Sequence, residues 1–308
     1  LNSFFTALSS DTAVIGSTVE DILNKRTSLD SGMYWDANTS LSRLENGSWD
    51  NNNDEASSIF IPADVPLTDT LARKLNSLKH TELMIPSFLE DNPDIVAIYF
   101  GGILKETVYY PNIDLANIVP PDFDVTGRVW YVDAEPTNNP EREVVWSTPY
   151  QDAALNGLVI TTSVPVFNAQ NRFQGVAAMD VQLTQITNAV SNIRVGETGY
   201  AFLIDSDNRL MALPQQGYSD FGIVDATQNF GQVMDSTTVP DAPVELFEIL
   251  NQVSNGERGV FNISLNGSER FIAFQQVPEV NYKLVIVVPT IEMLTETEIV
   301  NSQIQQET

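Results

Sequence analysis

The sequence has no cysteine, a single histidine (His80) and only 15 lysines and arginines against 41 aspartates and glutamates. Without cysteine there are no disulfides, no thiolate metal centres and no cysteine nucleophile. One histidine excludes multi-histidine zinc sites and paired-histidine relays, and leaves one candidate base for a serine triad. His80 lies in the polar stretch Lys79-His80-Thr81-Glu82, which reads as helix surface. The formal net charge of -26 repels phosphate backbones and anionic headgroups, so nucleic acid is not an expected partner. No run approaches the ~20 apolar residues that a membrane helix needs, and no signal peptide opens the chain. Because the chain opens at Leu1, we expect it to derive from a longer protein whose membrane anchor lies outside these residues.

What is present suffices for a core. The 308 residues are 43% hydrophobic, which fits two packed modules or one elongated two-part domain. Apolar residues at Phe5, Leu8, Ile15, Val19, Ile22 and Leu29 predict a helix over Phe4 to Leu29. A loop is expected from Asp30 to Asp54, then a helix opening near Asp64 and Pro66 and running through Leu67, Leu71, Leu75 and Leu78 until Pro86 interrupts.

Strand patterns follow at Ile95 to Phe100, Thr107 to Tyr110, Val144 to Trp146, Leu158 to Val166 and Phe173 to Val181, with a helix over Leu183 to Ile193. A second strand group reads Tyr200 to Ile204, Leu210 to Leu213, Gly259 to Leu265, Phe271 to Val277 and Leu284 to Val288, interrupted by a helix near Val244 to Val253. Both groups share one order and carry Asn-Gly or Gly-rich turns, as if one antiparallel architecture were used twice. Spacing at Ile291, Leu294, Ile299 and Ile304 predicts a closing helix over Ile291 to Gln305. The expected class is α+β: a long N-terminal helix, two small modules with antiparallel sheets, and a C-terminal helix.

Several motifs carry no chemistry. Asp205-Ser206-Asp207-Asn208 opens like a calcium loop, but Arg209 follows and Gln216 stands where the loop needs Glu, so a hairpin turn is expected. Gly196-Glu197-Thr198-Gly199 lacks phosphate-loop spacing and also reads as a turn. With 41 carboxylates some pair always lies close enough to imitate a glycosidase, and no spacing singles one out. We expect no enzyme, no metal and no cofactor.

The informative stretch is Asp122-Phe123-Asp124-Val125-Thr126-Gly127-Arg128-Val129-Trp130-Tyr131. Read as extended chain, it sets Arg128 and Trp130 on one side, where a guanidinium fork and an indole could hold a carboxylate. Downstream stand Pro149-Tyr150-Gln151-Asp152 and Asp180, the latter at the end of an apolar strand where a buried charge needs a partner. A ligand ammonium is one such partner; a direct Arg128–Asp180 bridge, with Trp130 and Tyr131 in the core, is the other reading.

These segments, in this order, resemble the double Cache family of bacterial extracytoplasmic sensor domains over essentially the whole chain. The resemblance implies two PAS-like modules: residues 1–59 as helix and loop, 60–190 as a membrane-distal ligand-binding module, 191–290 as a membrane-proximal module, and 291–308 as a helix leading to the membrane. It further implies that Arg128 and Trp130 bind the carboxylate of a small L-amino acid, while Tyr131, Asp152 and Asp180 bind its ammonium, with Phe123 and Tyr150 beside them. Phe123 stands where the family usually has tyrosine. The parent implied is a chemotaxis receptor, periplasmic in this part and a homodimer, with a kinase or cyclase parent as alternative; an amine or simple carboxylate is the alternative ligand.

Overall fold

The computed structural model describes residues 1–223 and 243–293, together with the backbone strand Met234–Asp235. The chain divides into two units, one of Thr6–Gln182 and one of Leu183 onward together with Leu1–Phe5.

The first unit is built on helix α1 (Asn2–Asn24) and one antiparallel sheet. Helix α2 (Asp69–Leu78) follows, its first turn capped by the Thr68 side chain accepting from Leu71 N. The sheet strands are β1 (Ser58–Phe60), β2 (Ile95–Gly102), β3 (Thr107–Tyr110), β4 (Val145–Trp146), β5 (Tyr150–Gln151), β6 (Leu158–Phe167) and β7 (Phe173–Gln182). Their order is β1-β3-β2-β7-β6-β4, with β5 also pairing β6.

Strand alternation gives β7 two different faces. Met179 meets the Thr12 hydroxyl of α1, whose buried residues Leu8, Ile15, Val19 and Leu23 cover that side. Val176, Ala178 and Asp180 point the other way, into a cluster with Tyr99, Tyr109 and Trp130. Because both faces are covered, the central strands are apolar almost throughout, and Asp180 is an exception inside that core.

Close strand approach depends on Gly175 in β7, at φ +144°, where an added Cβ would lie 2.2 Å from the Gly101 carbonyl oxygen. Two lysines are buried here with their partners. Lys74 meets Glu106 at 2.6 Å, and Lys79 meets Glu55 at 2.6 Å as well as Glu82.

The second unit starts with helix α4 (Leu183–Ser191); the label α3 is kept for Val129–Ala134 in the first unit. Its sheet contains β8 (Tyr200–Ile204), β9 (Arg209–Ala212), β10 (Met234–Asp235), β11 (Arg258–Leu265), β12 (Ser268–Val277) and β13 (Tyr282–Pro289), in the order β10-β9-β8-β13-β12-β11. Helix α5 (Val244–Ser254) buries Leu246, Ile249, Leu250 and Val253 in the same core as Phe202 and Val285.

Several expectations change in detail. The loop expected over 30–54 contains a short helix, Ala37–Ser40, and a small hairpin of Ser42–Arg43 with Trp49–Asp50. Helix α4 groups with the second unit, not the first, because it contacts β8 and β9 there. Asp205 closes the β8–β9 turn, its carboxylate accepting from Asp207 N and Arg209 N at 2.9 Å each. His80 is half-buried in a 3-10 turn (Lys79–Leu83) and stacks on Tyr34, so it is less exposed than its polar neighbours suggested. The closing helix begins at residues 290–293, where the Glu292 carboxylate accepts from Glu197 N at 2.9 Å and from the Thr198 hydroxyl; its continuation to Gln305 lies outside the described residues.

Candidate functional site

The chain is extended at Arg128 but not beyond it. Arg128 is the residue before α3, at φ -77° and ψ 146°, and Val129–Ala134 then turn as a six-residue helix. On a helix, residues two apart do not share a face, so the sequence argument that put Arg128 and Trp130 on one side of a strand fails. Both nevertheless line one cleft, because Arg128 remains outside the helix while Trp130 turns inward. Trp130 fits edge-on against Tyr99 with ring centres 4.8 Å apart. Its far edge occupies space that any side chain at Gly101 would need, 2.8 Å from the ideal Cβ position.

The cleft encloses about 350 Å³ including its mouth. It is lined by Tyr99, Thr107 and Tyr109 from the sheet, by Leu115, Val119, Phe123 and Val125 from the chain before Arg128, and by Arg128, Trp130 and Asp152–Ala154. At one side the Arg128 guanidinium donates 3.1 Å to the Gln151 carbonyl and lies over the rings of Tyr150 (5.4 Å) and Phe123 (5.9 Å). It forms no ion pair among the described residues, so the Arg128–Asp180 bridge is absent.

Two carboxylates belong to the same site. Asp152 is held in a loop, accepting from Ala154 N at 3.1 Å and from Asn156 Nδ2 at 2.7 Å. Asp180 is fully buried; its Oδ1 accepts from the hydroxyls of Tyr99 and Thr161, each at 2.6 Å, and from Tyr150 at 3.4 Å. Its Oδ2 is buried without a hydrogen bond. Burial pushes the Asp180 carboxyl up, the nearby Asp152 charge adds to this, and the three hydroxyls oppose it, leaving it at about 7. Burial and the Asp180 charge likewise raise the hydroxyls of Tyr99, Tyr109 and Tyr150, so all three remain neutral donors.

Six of the seven site residues read from the sequence are thus brought together: Phe123, Arg128, Trp130 and Asp152 line the cleft, Tyr150 carries Arg128 on its ring and Asp180 at its hydroxyl, and Asp180 stands behind Tyr99. Tyr131 is not. Its ring contacts Phe173 (6.0 Å) and Trp130 (5.7 Å), and burial, then the charges of Glu106, Glu135 and Asp124, raise its hydroxyl, with no contribution from Asp152 or Asp180. Helical rotation explains the difference, since consecutive residues of α3 point about 100° apart. The sequence reading missed Tyr99, Tyr109 and Thr161. Alternation from Asp180 could have flagged Thr161, its cross-strand partner, had the β6–β7 register been known; isolated tyrosines in apolar strands carry no signal of their own.

A family model described as a Cache domain matches residues 5–297. Methyl-accepting chemotaxis protein McpC of Bacillus subtilis is 36% identical over 127 residues, covering 41% of this chain and 18% of McpC. TlpB of the same organism, also a methyl-accepting chemotaxis protein, is 28% identical over 59% of this chain and 22% of its own length. The chain therefore spans about a fifth of the length of these curated relatives. Among solved structures, the extracellular domain of mmHK1S-Z3, a candidate histidine kinase, superposes with a TM-score of 0.55 at 17% identity, covering 96% of this chain and 92% of that one. Among the described residues no helix is long and apolar enough to cross a membrane. A match over nearly the whole length, on a fold of two antiparallel-sheet units, shows that the chain belongs to the double Cache family of sensor domains.

Proposed function

We propose that this domain is the extracytoplasmic sensor of a bacterial chemotaxis receptor and that its first unit binds a small L-amino acid. One observation carries the reading: among the described residues, an arginine without a carboxylate partner and two carboxylates without a cationic partner gather at a single aromatic cleft. Asp152 and Asp180 are buried and Arg128 is half-buried, and a charge removed from water is costly unless something pairs it. A zwitterion supplies both partners at once, its carboxylate to Arg128 and the Trp130 N–H, its ammonium to Asp152 and, past the Tyr99 hydroxyl, to Asp180. A bare amine leaves Arg128 unpaired, and a bare carboxylate leaves Asp152 and Asp180 unpaired.

The domain turns nothing over; it converts occupancy into a shift between two arrangements, which requires different ligand affinity in each. In this reading the parent is an inner-membrane receptor that works as a homodimer, and the signal leaves the second unit along the segment after residue 290. A kinase parent is the second reading, favoured by the fold shared with mmHK1S-Z3.

A thermal-shift panel tests the ligand class. Amino acids should raise the melting point, by about 2.7 kcal/mol of stability at 100 times the dissociation constant. Their decarboxylated and deaminated analogues should not. Equal shifts from an amine analogue would remove Arg128 from the account.

A further inference from the structure

Resting on the zwitterion reading, we infer that the ligand's side chain is uncharged and aliphatic, held against a wall of Leu115, Val119 and Val125. The short helix Leu115–Ile118, Val119 just after it and the Val125–Gly127 turn bring these residues to the cleft. All three are buried, with 3%, 6% and 2% of their surface exposed, and they share one apolar cluster with Tyr109 and Ala154.

Among the described residues that line the cleft, Arg128 and Asp152 are the charged ones, and the zwitterion occupies both. A third charge on the ligand would enter the cleft with no counter-ion. An acidic side chain would also face the Asp152 and Asp180 charges, and a basic one would face Arg128 or compete with the ligand's own ammonium. Charge repulsion and desolvation thus act together against both classes. Aliphatic side chains meet neither difficulty and remove apolar wall from water. A further ring has little room, because Tyr99, Tyr109, Phe123 and Trp130 already fill much of the lining.

The test is calorimetric titration of the intact chain, above the pH range where Asp180 titrates, with valine, leucine, isoleucine and alanine against aspartate, glutamate, lysine and arginine. Charged amino acids should bind at least about 100-fold more weakly than leucine. Leu115→Ala should weaken leucine about tenfold or more while leaving alanine within about twofold, because it removes wall and not clamp. Val119→Ala serves the same purpose if the melting curve of Leu115→Ala shows it unfolded. Charged amino acids binding within tenfold of leucine would overturn the side-chain assignment and leave the clamp standing, as would an equal loss for leucine and alanine in both wall variants. If no amino acid of any class binds, the clamp reading falls and this inference falls with it.

Discussion

Thr161 and Asp180 are register partners on β6 and β7, and the Thr161 hydroxyl donates a 2.6 Å hydrogen bond to the Asp180 carboxylate inside the first unit's core. With Tyr99 and Tyr150 it keeps a fully buried carboxyl titrating at about 7 when burial and Asp152 would push it higher. The ligand-free domain therefore contains a carboxyl that changes charge near neutral pH.

The first prediction follows from that linkage. The folded state holds a proton on Asp180 up to about pH 7, while the unfolded chain gives it up near pH ~4. The folded state binds more protons in that window, so stability falls as pH rises through it, by up to about 1.4 kcal/mol per unit, and levels off above it. Asp180→Asn should remove this slope. Urea unfolding of both proteins across the window measures it, and identical pH profiles would show that Asp180 is ionised throughout.

Binding should show the opposite dependence. An ammonium pairs with ionised Asp180, so below about pH 7 binding must expel a proton and affinity should fall toward tenfold per unit. Thr161→Val withdraws one hydroxyl from the carboxylate and should move the midpoint upward. Titrations in buffers of different ionisation enthalpy report the proton directly, and no proton release on the acid side would separate Asp180 from the ligand.

Backbone geometry supplies a third. Gly175→Ala would force Cβ onto the Gly101 carbonyl at a positive φ, and should destabilise by about 3 kcal/mol or more. Denaturant midpoints check it; a change below about 1 kcal/mol would show that β2 and β7 can separate.

The buried Lys74–Glu106 pair gives a fourth. Both side chains are almost wholly buried, and Lys74 also donates 2.9 Å to the Gln174 carbonyl. Glu106→Gln alone should cost about 3–5 kcal/mol by stranding the ammonium, whereas Lys74→Met with Glu106→Leu should be close to neutral. Equal losses in the single and double variants would mean that the pair itself holds the module together.

Much of the fold was legible from local pattern. The β-branched and apolar runs of Leu158–Phe167 and Phe173–Gln182, and the Asn266-Gly267 turn with both residues at positive φ, leave few other structures open. The loop over 30–54 was not legible, since elements of two to four residues have no period to detect. At the site, Arg128 and Asp180 could be picked out because each is a charge in an apolar or aromatic setting, whereas a role for Asp152 was implied only by the resemblance to the double Cache family. Their surroundings could not be, since Tyr99 and Thr161 come from separate strands and meet Asp180 only through register. The six-residue helix at Val129 misled because Val, Trp and Tyr favour strands, and tertiary packing of Trp130 against Gly101 and Tyr99 overrode that preference.

If Arg128 holds the carboxylate of an amino acid, its loss should weaken binding selectively. Arg128 is half-buried and gives one hydrogen bond to a main-chain carbonyl, so Arg128→Ala should change the ligand-free stability by less than about 1 kcal/mol. Removing the carboxylate's partner should lower affinity by roughly 30-fold to several thousand-fold, and Arg128→Lys should restore little, because an ammonium lacks the planar fork. The most direct measurement is calorimetric titration of leucine into the wild type, Arg128→Ala and Arg128→Lys, each shown folded by its melting curve. The wild type alone should bind tightly; wild-type affinity in a folded Arg128→Ala protein would rule out Arg128 as the carboxylate's partner.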